Sequence, residues 1–306
     1  MGIKVLSLFD GISCGQIALE RADIKVDSYF ASEIDKYSIE VTQKNYPNTI
    51  QLGDICEIKS EGLPKIDLLI GGSPCQGFSL AGKQLNFDDK RSKLFFEFVR
   101  LLRWLKPKYF LLENVNMRKE WQDIITKYIG VEPVKINSGD VSAQNRTRLY
   151  WTNIPIKEID KNNIILKDIL EENIEDKFFI KGDVIYDTPC FDLNKNNICN
   201  PIKDKSNKGW HFEQNVYTED SKTRSLKAGG GSGNIPKILI NGIIRKLTPL
   251  ECERLQTLPN NYTANVSNSR RYMGIGNGWT VDVIAHIFKE LKNTTAFDYK
   301  TPKENK

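Results

Sequence analysis

A cysteine and a glutamate, each closing an apolar run, carry the chemistry this chain can do. Cys75 lies in Gly71-Gly72-Ser73-Pro74-Cys75-Gln76, directly after Ile66-Asp67-Leu68-Leu69-Ile70. That run is short, apolar and rich in Ile and Leu, which predicts a buried strand over 66–70. Pro74 fixes its own φ and pushes Ser73 towards an extended conformation, so the turn aims Cys75 in one direction. Glu113 follows Tyr109-Phe110-Leu111-Leu112 in the same manner. If the two strands are parallel neighbours, a thiol and a carboxyl share the crevice at the carboxyl ends, where open α/β sheets bind ligands. A lone Pro-Cys equally suits a loop cysteine beside a tight turn, and it is the companions that turn the reading to a nucleophile. The chain has two histidines, His211 and His286. That argues against a Ser-His or Cys-His dyad and makes a carboxyl the candidate general acid.

The elements that must position these groups read as an α/β alternation. Ile3 to Phe9 is a predicted strand, Asp10-Gly11-Ile12-Ser13-Cys14-Gly15 a glycine-bearing turn, and a helix through Ile17, Ala18 and Leu19 follows. Strand, glycine turn and helix open a nucleotide-binding unit, although the strict Gly-x-Gly-x-x-Gly is absent. A second strand, Asp27 to Ala31, ends at Ser32-Glu33-Ile34-Asp35. Glu33 is placed to grip ribose hydroxyls or is an ordinary strand-end carboxylate; Asp35 reads as the cap of a helix from Lys36. A third strand near Thr49 to Leu52 leads to Gly53-Asp54-Ile55, where Asp54 either accepts from an adenine amine or caps a turn. The stretch from Gln76 to Lys90 has no periodicity and reads as a lid. A helix from Ser92 carries Leu94, Phe95, Phe98, Leu101, Leu102 and Leu105 before Pro107 stops it. A helix over Glu120 to Tyr128 and a strand near Val131 to Asn137 precede Gln144-x-Arg146-x-Arg148. On one strand the two arginines share a face, either for an anionic ligand or for solvent.

Composition sets the outer bounds. The 306 residues suffice for one large domain or two unequal ones. Hydrophobic residues make up 40% and charged residues 27%, an ordinary globular balance. Lys plus Arg number 44 against 39 Asp plus Glu, a net charge of +5 compatible with a polyanionic partner without demanding one. No window predicts a membrane span, and the start lacks the flanks of a signal peptide. The six cysteines are scattered with no Cys-x-x-Cys pair, so neither zinc nor a disulfide framework is signalled and a reducing cytoplasm is expected. From about Pro155 to Asn241 the character changes: Asn, Lys, Asp and Glu dominate, and Gly229-Gly230-Gly231-Ser232-Gly233 interrupts. By composition that glycine cluster is a flexible loop. Thr248-Pro249 starts an amphipathic helix with Glu251 at the capping-box position. Tyr272 to Gly278 reads as a turn, Val281 to Leu291 as a helix, and Thr294 to Lys306 as a polar tail.

Taken together, the ordered set Phe9-Asp10-Gly11, Glu33, Gly53-Asp54-Ile55, Ser73-Pro74-Cys75-Gln76, Arg91 with Leu94-Phe95, Glu113-Asn114-Val115 and Gln144-x-Arg146-x-Arg148 resembles the DNA cytosine-5 methyltransferases. Arg245-Lys246-Leu247-Thr248-Pro249-x-Glu251-x-x-Arg254-Leu255-Gln256 and Gly276-Asn277-Gly278 extend the match over most of the chain. Departures are Ser73, Ser13-Cys14-Gly15, Thr257-Leu258-Pro259 and Trp279. The resemblance implies a Rossmann-like, doubly wound α/β domain from 1–154 and 245–306, with its C-terminal helix folding back. It implies a smaller irregular target-recognition domain over 155–244.

The implied reaction moves a methyl group from S-adenosylmethionine to carbon 5 of a flipped-out cytosine in duplex DNA, through a transient Cys75 adduct. Carbon 5 is a poor nucleophile until a thiolate adds at carbon 6, and a cysteine is suited because part of it is thiolate near neutral pH. Glu113 would hold or protonate nitrogen 3, and Arg146 and Arg148 would orient the target. The target must leave the duplex, and the 76–90 lid would close behind it. Phe9, Gly11 and Ile12 would line the donor pocket, Glu33 would take the ribose, Asp54 and Ile55 would meet the adenine, and Asn277 would help close it. Asp10, Ile34, Pro74 and Leu94 join that pocket by the same resemblance. Gln76, Ser79, Arg91, Lys208 and Arg224 are the implied DNA contacts, with Trp210, Lys222 and Lys227 as further candidates. No metal is implied. The implied setting is a prokaryotic or phage-infected cell, in restriction–modification or DNA protection, with a cognate endonuclease that forms no stable complex. A tRNA cytosine methyltransferase and a DNA-binding module without catalysis are the rival readings. The long variable segment favours DNA over tRNA, and the presence of both Cys75 and Glu113 favours an enzyme.

Overall fold

The computed structural model describes residues 2–59, 61–73, 90–180, 197–198, 215–229 and 234–292, with backbone alone at 90–93 and 197–198. In chain order the elements are β1 (Ile3–Leu8), α1 (Cys14–Arg21), β2 (Val26–Ser32), α2 (Lys36–Asn45), β3 (Ile50–Gln51), β4 (Leu68–Gly72), α3 (Lys90–Leu105), β5 (Tyr109–Val115), α4 (Lys119–Ile129) and β6 (Val134–Asn137). There follow β7 (Gln144–Asn145), β8 (Thr147–Thr152), β9 (Asn197–Ile198), β10 (Val216–Thr218), β11 (Thr223–Arg224), β12 (Lys237–Ile240), β13 (Ile243–Lys246), α5 (Pro249–Leu255), α6 (Asn268–Asn277) and α7 (Val281–Lys289). Spatial proximity divides the chain into two units: Met1–Asn137 with Thr147–Ile159 and Val281–Lys306, and Ser138–Arg146 with Asp160–Thr280.

The first unit is built on a seven-stranded sheet in the order β3-β2-β1-β4-β5-β8-β6. Strands β3 to β5 of that order run parallel, and β8 enters antiparallel to both β5 and β6. Central strands of such a sheet are covered on both faces, so they read as continuous apolar runs instead of alternating ones. Accordingly Val5 and Leu6 of β1, Leu68 to Ile70 of β4 and Phe110 to Leu112 of β5 are all fully buried. On α3, Phe95, Phe98, Val99 and Leu102 recur at helical spacing and join the core with Leu69, Phe110, Leu112 and Trp151. The buried Trp151 indole N–H donates to Thr126 Oγ1 at 3.0 Å, so the ring enters the core without an unpaired donor. α7 packs on α1, pinned by Arg21 on Asp282 at 2.7 Å.

The second unit holds a four-stranded sheet, β13-β12-β10-β9, and a separate β11–β7 pair. α5 starts as its sequence demands: Thr248 Oγ1 accepts from Glu251 N at 3.1 Å, and the Glu251 carboxylate accepts from Thr248 N at 2.8 Å. That carboxylate also forms a bidentate, buried pair with Arg245 at 2.7 and 2.6 Å. A buried ion pair is tolerable when its remaining lone pairs are satisfied, and Glu171 N supplies a further bond at 3.0 Å.

Three features differ from the sequence reading. Residues 245–280 belong to the second unit, because β13 pairs with β12 and Arg245 pairs with Glu251 there. The expected turn over 272–278 is the end of helix α6. Within that helix Gly276 is glycine for a tertiary reason: a Cβ there would lie 2.5 Å from the Lys227 carbonyl carbon. Finally, the expected single strand through Arg146 and Arg148 is interrupted between β7 and β8.

Core packing of the first unit yields a direct expectation. Phe98→Ala removes a fully buried ring and lowers stability by about 3–5 kcal/mol, read as an earlier urea midpoint with unchanged slope. A loss under about 1 kcal/mol would contradict the packing described.

Candidate active site

The order β2-β1-β4 reverses direction of growth between β1 and β4, and the crevice beyond such a switch point is where open sheets take ligands. Four of the expected motifs leave strands at that end. After β1, Phe9 adopts φ 56° and Gly11 φ 58°, so the chain turns back sharply. Nothing lies within 4 Å of where a Gly11 Cβ would be, so its backbone faces open space. The Gly11 amide donates to Glu33 Oε2 at 2.8 Å, and Glu33 Oε1 accepts from the Ile34 and Asp35 amides at 2.8 Å each. These bonds bind the end of β2 to the glycine turn and hold the carboxylate in one orientation. Beside it Ile34 is 74% exposed, the most exposed of the large apolar side chains described. After β3, Asp54 is exposed and caps the next turn through Cys56 N at 2.9 Å, with Ile55 buried behind it. The spacing had left adenine contact or cap open; the cap is formed.

Asp10 is the most perturbed carboxyl of this turn. Burial pushes it up to about 6, the Ser13, Ser7 and Tyr29 hydroxyls pull it back, and Glu33 adds a small upward push. Tyr29 OH donates to Asp10 Oδ1 at 2.8 Å and Ser13 Oγ to Oδ2. No pattern in the sequence links Tyr29 to Asp10; parallel pairing of β1 with β2 brings them together.

The carboxyl expected to act as general acid, Glu113, is placed by register. In the β4–β5 pair Gly72 lies opposite Glu113, so the chain reaches the end of β4 beside that carboxyl. Asn114 Nδ2 donates to Ser73 Oγ at 3.1 Å, a buried bond that ties the first residue of the turn to β5. Glu113 is 8% exposed. In the β5–β8 pair Glu113 faces Tyr150 and Val115 faces Arg148, so Arg148 is its diagonal neighbour on the same face. Arg148 Nε meets Glu113 Oε1 at 2.9 Å. Leu94 is half-buried against the core of this unit.

The two arginines of the expected pair part company. Arg146 lies in the second unit and is 4% exposed. Its guanidinium donates to Ser225 Oγ and the Leu226 carbonyl at 3.1 Å, and to the Gly276 and Gly278 carbonyls at 3.3 and 2.9 Å. Arg224, an expected DNA contact, is 6% exposed and turned onto the Ser225 and Asn234 carbonyls. Lys222 is turned onto the Gly139 and Ser142 carbonyls, whereas Lys227 is exposed. Arg146, Arg224 and Lys222 thus all donate to carbonyls of their own chain. Asn277 closes α6 in the second unit. Gln144 and Gln256 belonged to recognised motifs without a role; they bond side chain to side chain at 3.0 Å, a pairing no local spacing reveals. Cys75, Pro74, Gln76, Ser79 and Lys208 lie outside the described residues, as does the Arg91 side chain. Among the described residues no His, Cys, Asp and Glu group could hold a metal ion, and no helix is long and apolar enough to cross a membrane.

A seven-stranded sheet with one antiparallel strand near its edge and its motifs at the carboxyl ends is the fold of S-adenosylmethionine-dependent methyltransferases. The structure of an Entamoeba histolytica methyltransferase superposes with a TM-score of 0.75 at 19% identity, covering 96% of this chain and 98% of that one. Type II methyltransferase M1.ScrFI of Lactococcus lactis subsp. cremoris is 32% identical over 94% of this chain and 77% of its own length. Type II methyltransferase M.HhaI of Haemophilus parahaemolyticus is 28% identical over 97% of this chain and 96% of its own. The family model described as C-5 cytosine-specific DNA methylase matches residues 3–293. The chain belongs to that family, and it is a DNA (cytosine-5-)-methyltransferase.

The Asp10 environment sets a pH dependence. Between about pH 4 and 6 the folded chain holds a proton on Asp10 that the unfolded chain has released. This contribution to stability is complete below pH 4 and is lost as pH rises through about 6. Asp10→Asn therefore gains on the wild type as pH rises through that window, in urea titrations at several pH values. A difference that stays flat with pH would refute the assignment.

Proposed function

We propose that the enzyme transfers a methyl group from S-adenosylmethionine to carbon 5 of a cytosine flipped out of duplex DNA, through a transient adduct on Cys75. The observation that carries this reading is the register of β4 against β5, which sets Gly72 opposite Glu113 and so brings the end of β4 beside a buried carboxyl.

The described residues fit the donor. Gly11 opens backbone to the crevice, Glu33 presents an oriented carboxylate for two hydroxyls, and exposed Ile34 offers an apolar face to a base. Asp54 and Ile55, with Phe9, Asp10, Ile12, Pro74 and Leu94, complete the proposed donor set. When bound, S-adenosylmethionine supplies a methyl group made electrophilic by its sulfonium. Cys75 adds its sulfur lone pair to carbon 6, and the ring electrons gather at carbon 5, which becomes the nucleophile. Glu113 holds the proton at nitrogen 3 that balances the developing charge. Arg148 fixes Glu113 and orients the target beside it. Loss of the proton from carbon 5 then restores the ring double bond and expels the thiolate.

Residues 155–244 are proposed to read the DNA sequence, with Lys208 and exposed Lys227 among the contacts and Gln76, Ser79 and Arg91 serving the lid side. The Type II methyltransferase names of the relatives support a restriction–modification role, with phage DNA protection as an alternative, and the cytoplasm is the proposed setting. A cognate endonuclease would cut the same sequence without a stable complex.

Cys75→Ala should abolish methylation while DNA and S-adenosylmethionine still bind. Glu113→Gln should lower kcat by about 10²–10⁴-fold with donor affinity unchanged. Single-turnover methylation of a plasmid, read by bisulfite sequencing, checks both and locates the modified base. Substantial turnover by Cys75→Ala would remove the nucleophile from the account.

A further inference from the structure

Arg146 lies within a signature motif, and its guanidinium donates to acceptors of its own chain. Two of its nitrogens reach four acceptors on two separate segments: Ser225 Oγ with the Leu226 carbonyl, and the Gly276 with the Gly278 carbonyl. Its neighbour Gln144 grips the first segment directly, accepting from Leu226 N at 2.8 Å, and reaches the second through Gln256, donating to its Oε1 at 3.0 Å. Gln256 in turn donates to the Ile275 and Gly278 carbonyls, both at 2.9 Å. Gly276 meets the Lys227–Ala228 peptide so closely that a Cβ would sit 2.5–2.6 Å from three of its atoms. The chain from Ser225 to Ala228 is thus held from several sides immediately before it enters the Gly229–Gly233 run.

A segment that reads a sequence discriminates only when its backbone is held in one place by the residues around it. A planar fork with five fixed donors suits that task, since it can bond several carbonyls at once. We propose that Arg146 is a positioning residue for DNA sequence discrimination: it clamps the Ser225–Ala228 segment to the end of α6 and so fixes that part of the recognition region, touching neither the target base nor a phosphate. This rests on the reading that residues 155–244 recognise the DNA.

The test compares Arg146→Lys, Gly276→Ala and wild type on one plasmid of known sequence, with methylated positions read by bisulfite sequencing. Lysine keeps the charge but cannot span both segments, and alanine at 276 forces Lys227–Ala228 away from α6. Both variants should methylate near-match sites about tenfold more, relative to the full site, than wild type does. For Arg146→Lys, S-adenosylmethionine affinity and the slope of log DNA affinity against log salt should stay at their wild-type values. A slope reduced by roughly 0.9 would mean that a phosphate contact was lost, and would overturn the proposal. A site list relaxed in Gly276→Ala and unchanged in Arg146→Lys would overturn the Arg146 role alone. Lists unchanged in both would overturn the recognition reading along with it. Should Arg146→Lys fail to fold, Ser225→Ala, which removes one acceptor of the same fork, should show a smaller relaxation of the same kind. An unrelaxed list there would count against the clamp.

Discussion

The structure depends on one register. Parallel pairing of β4 with β5 sets Gly72 against Glu113, and everything chemical in the first unit is arranged around that point. Shifting β5 by one residue would turn Glu113 to the opposite face of the sheet. The register is held by burial on both faces: Leu68 to Ile70 and Phe110 to Leu112 are sealed between layers, so a slip would carry Glu113 and its neighbours out of place together. Asn114 reinforces it from the other face by bonding Ser73, and Arg148 does so from the next strand by meeting Glu113. Two interactions of modest individual strength therefore guard a geometry that apolar packing has already selected.

The crevice at the sheet's carboxyl end shows how backbone and side chain divide the work. Glu33 takes three amide protons from the Gly11, Ile34 and Asp35 backbone. A carboxylate bound in that way is fixed before any ligand arrives, which reduces what must be ordered on binding. Asp10 sits one residue from the Gly11 amide, with its charge opposed by burial and steadied by Tyr29 and Ser13. One turn thus holds an oriented carboxylate and a carboxyl that gives up its proton only near pH 6.

What was legible in the sequence was mostly local. Asp35 caps α2 through Ser38 N, and Thr248 with Glu251 caps α5, because both devices span only a few residues. The central strands were legible because two-sided burial leaves an unbroken apolar run. The placement of Glu113 beside the end of β4 followed from strand order, which the α/β alternation implies. The shared strand face of Arg146 and Arg148 was not legible correctly, because alternation along one strand does not continue through the break between β7 and β8. Arg146 and Arg224 instead satisfy carbonyls of loops far along the chain, which no local pattern records. Gly276 of α6 is likewise set by tertiary structure: it is small to admit the Lys227–Ala228 backbone, not to make a turn.

The most direct measurement of the central claim traps the sulfur on its target. Duplex DNA carrying 5-fluorocytosine at the methylated position is incubated with the enzyme and S-adenosylmethionine, then digested and weighed by mass spectrometry. Fluorine at carbon 5 cannot leave as a proton does, so the thioether at carbon 6 persists after methyl transfer. The nucleotide should be found on the peptide containing Cys75. Recovery of the adduct on another cysteine, or turnover of normal cytosine with no adduct on any, would contradict the account.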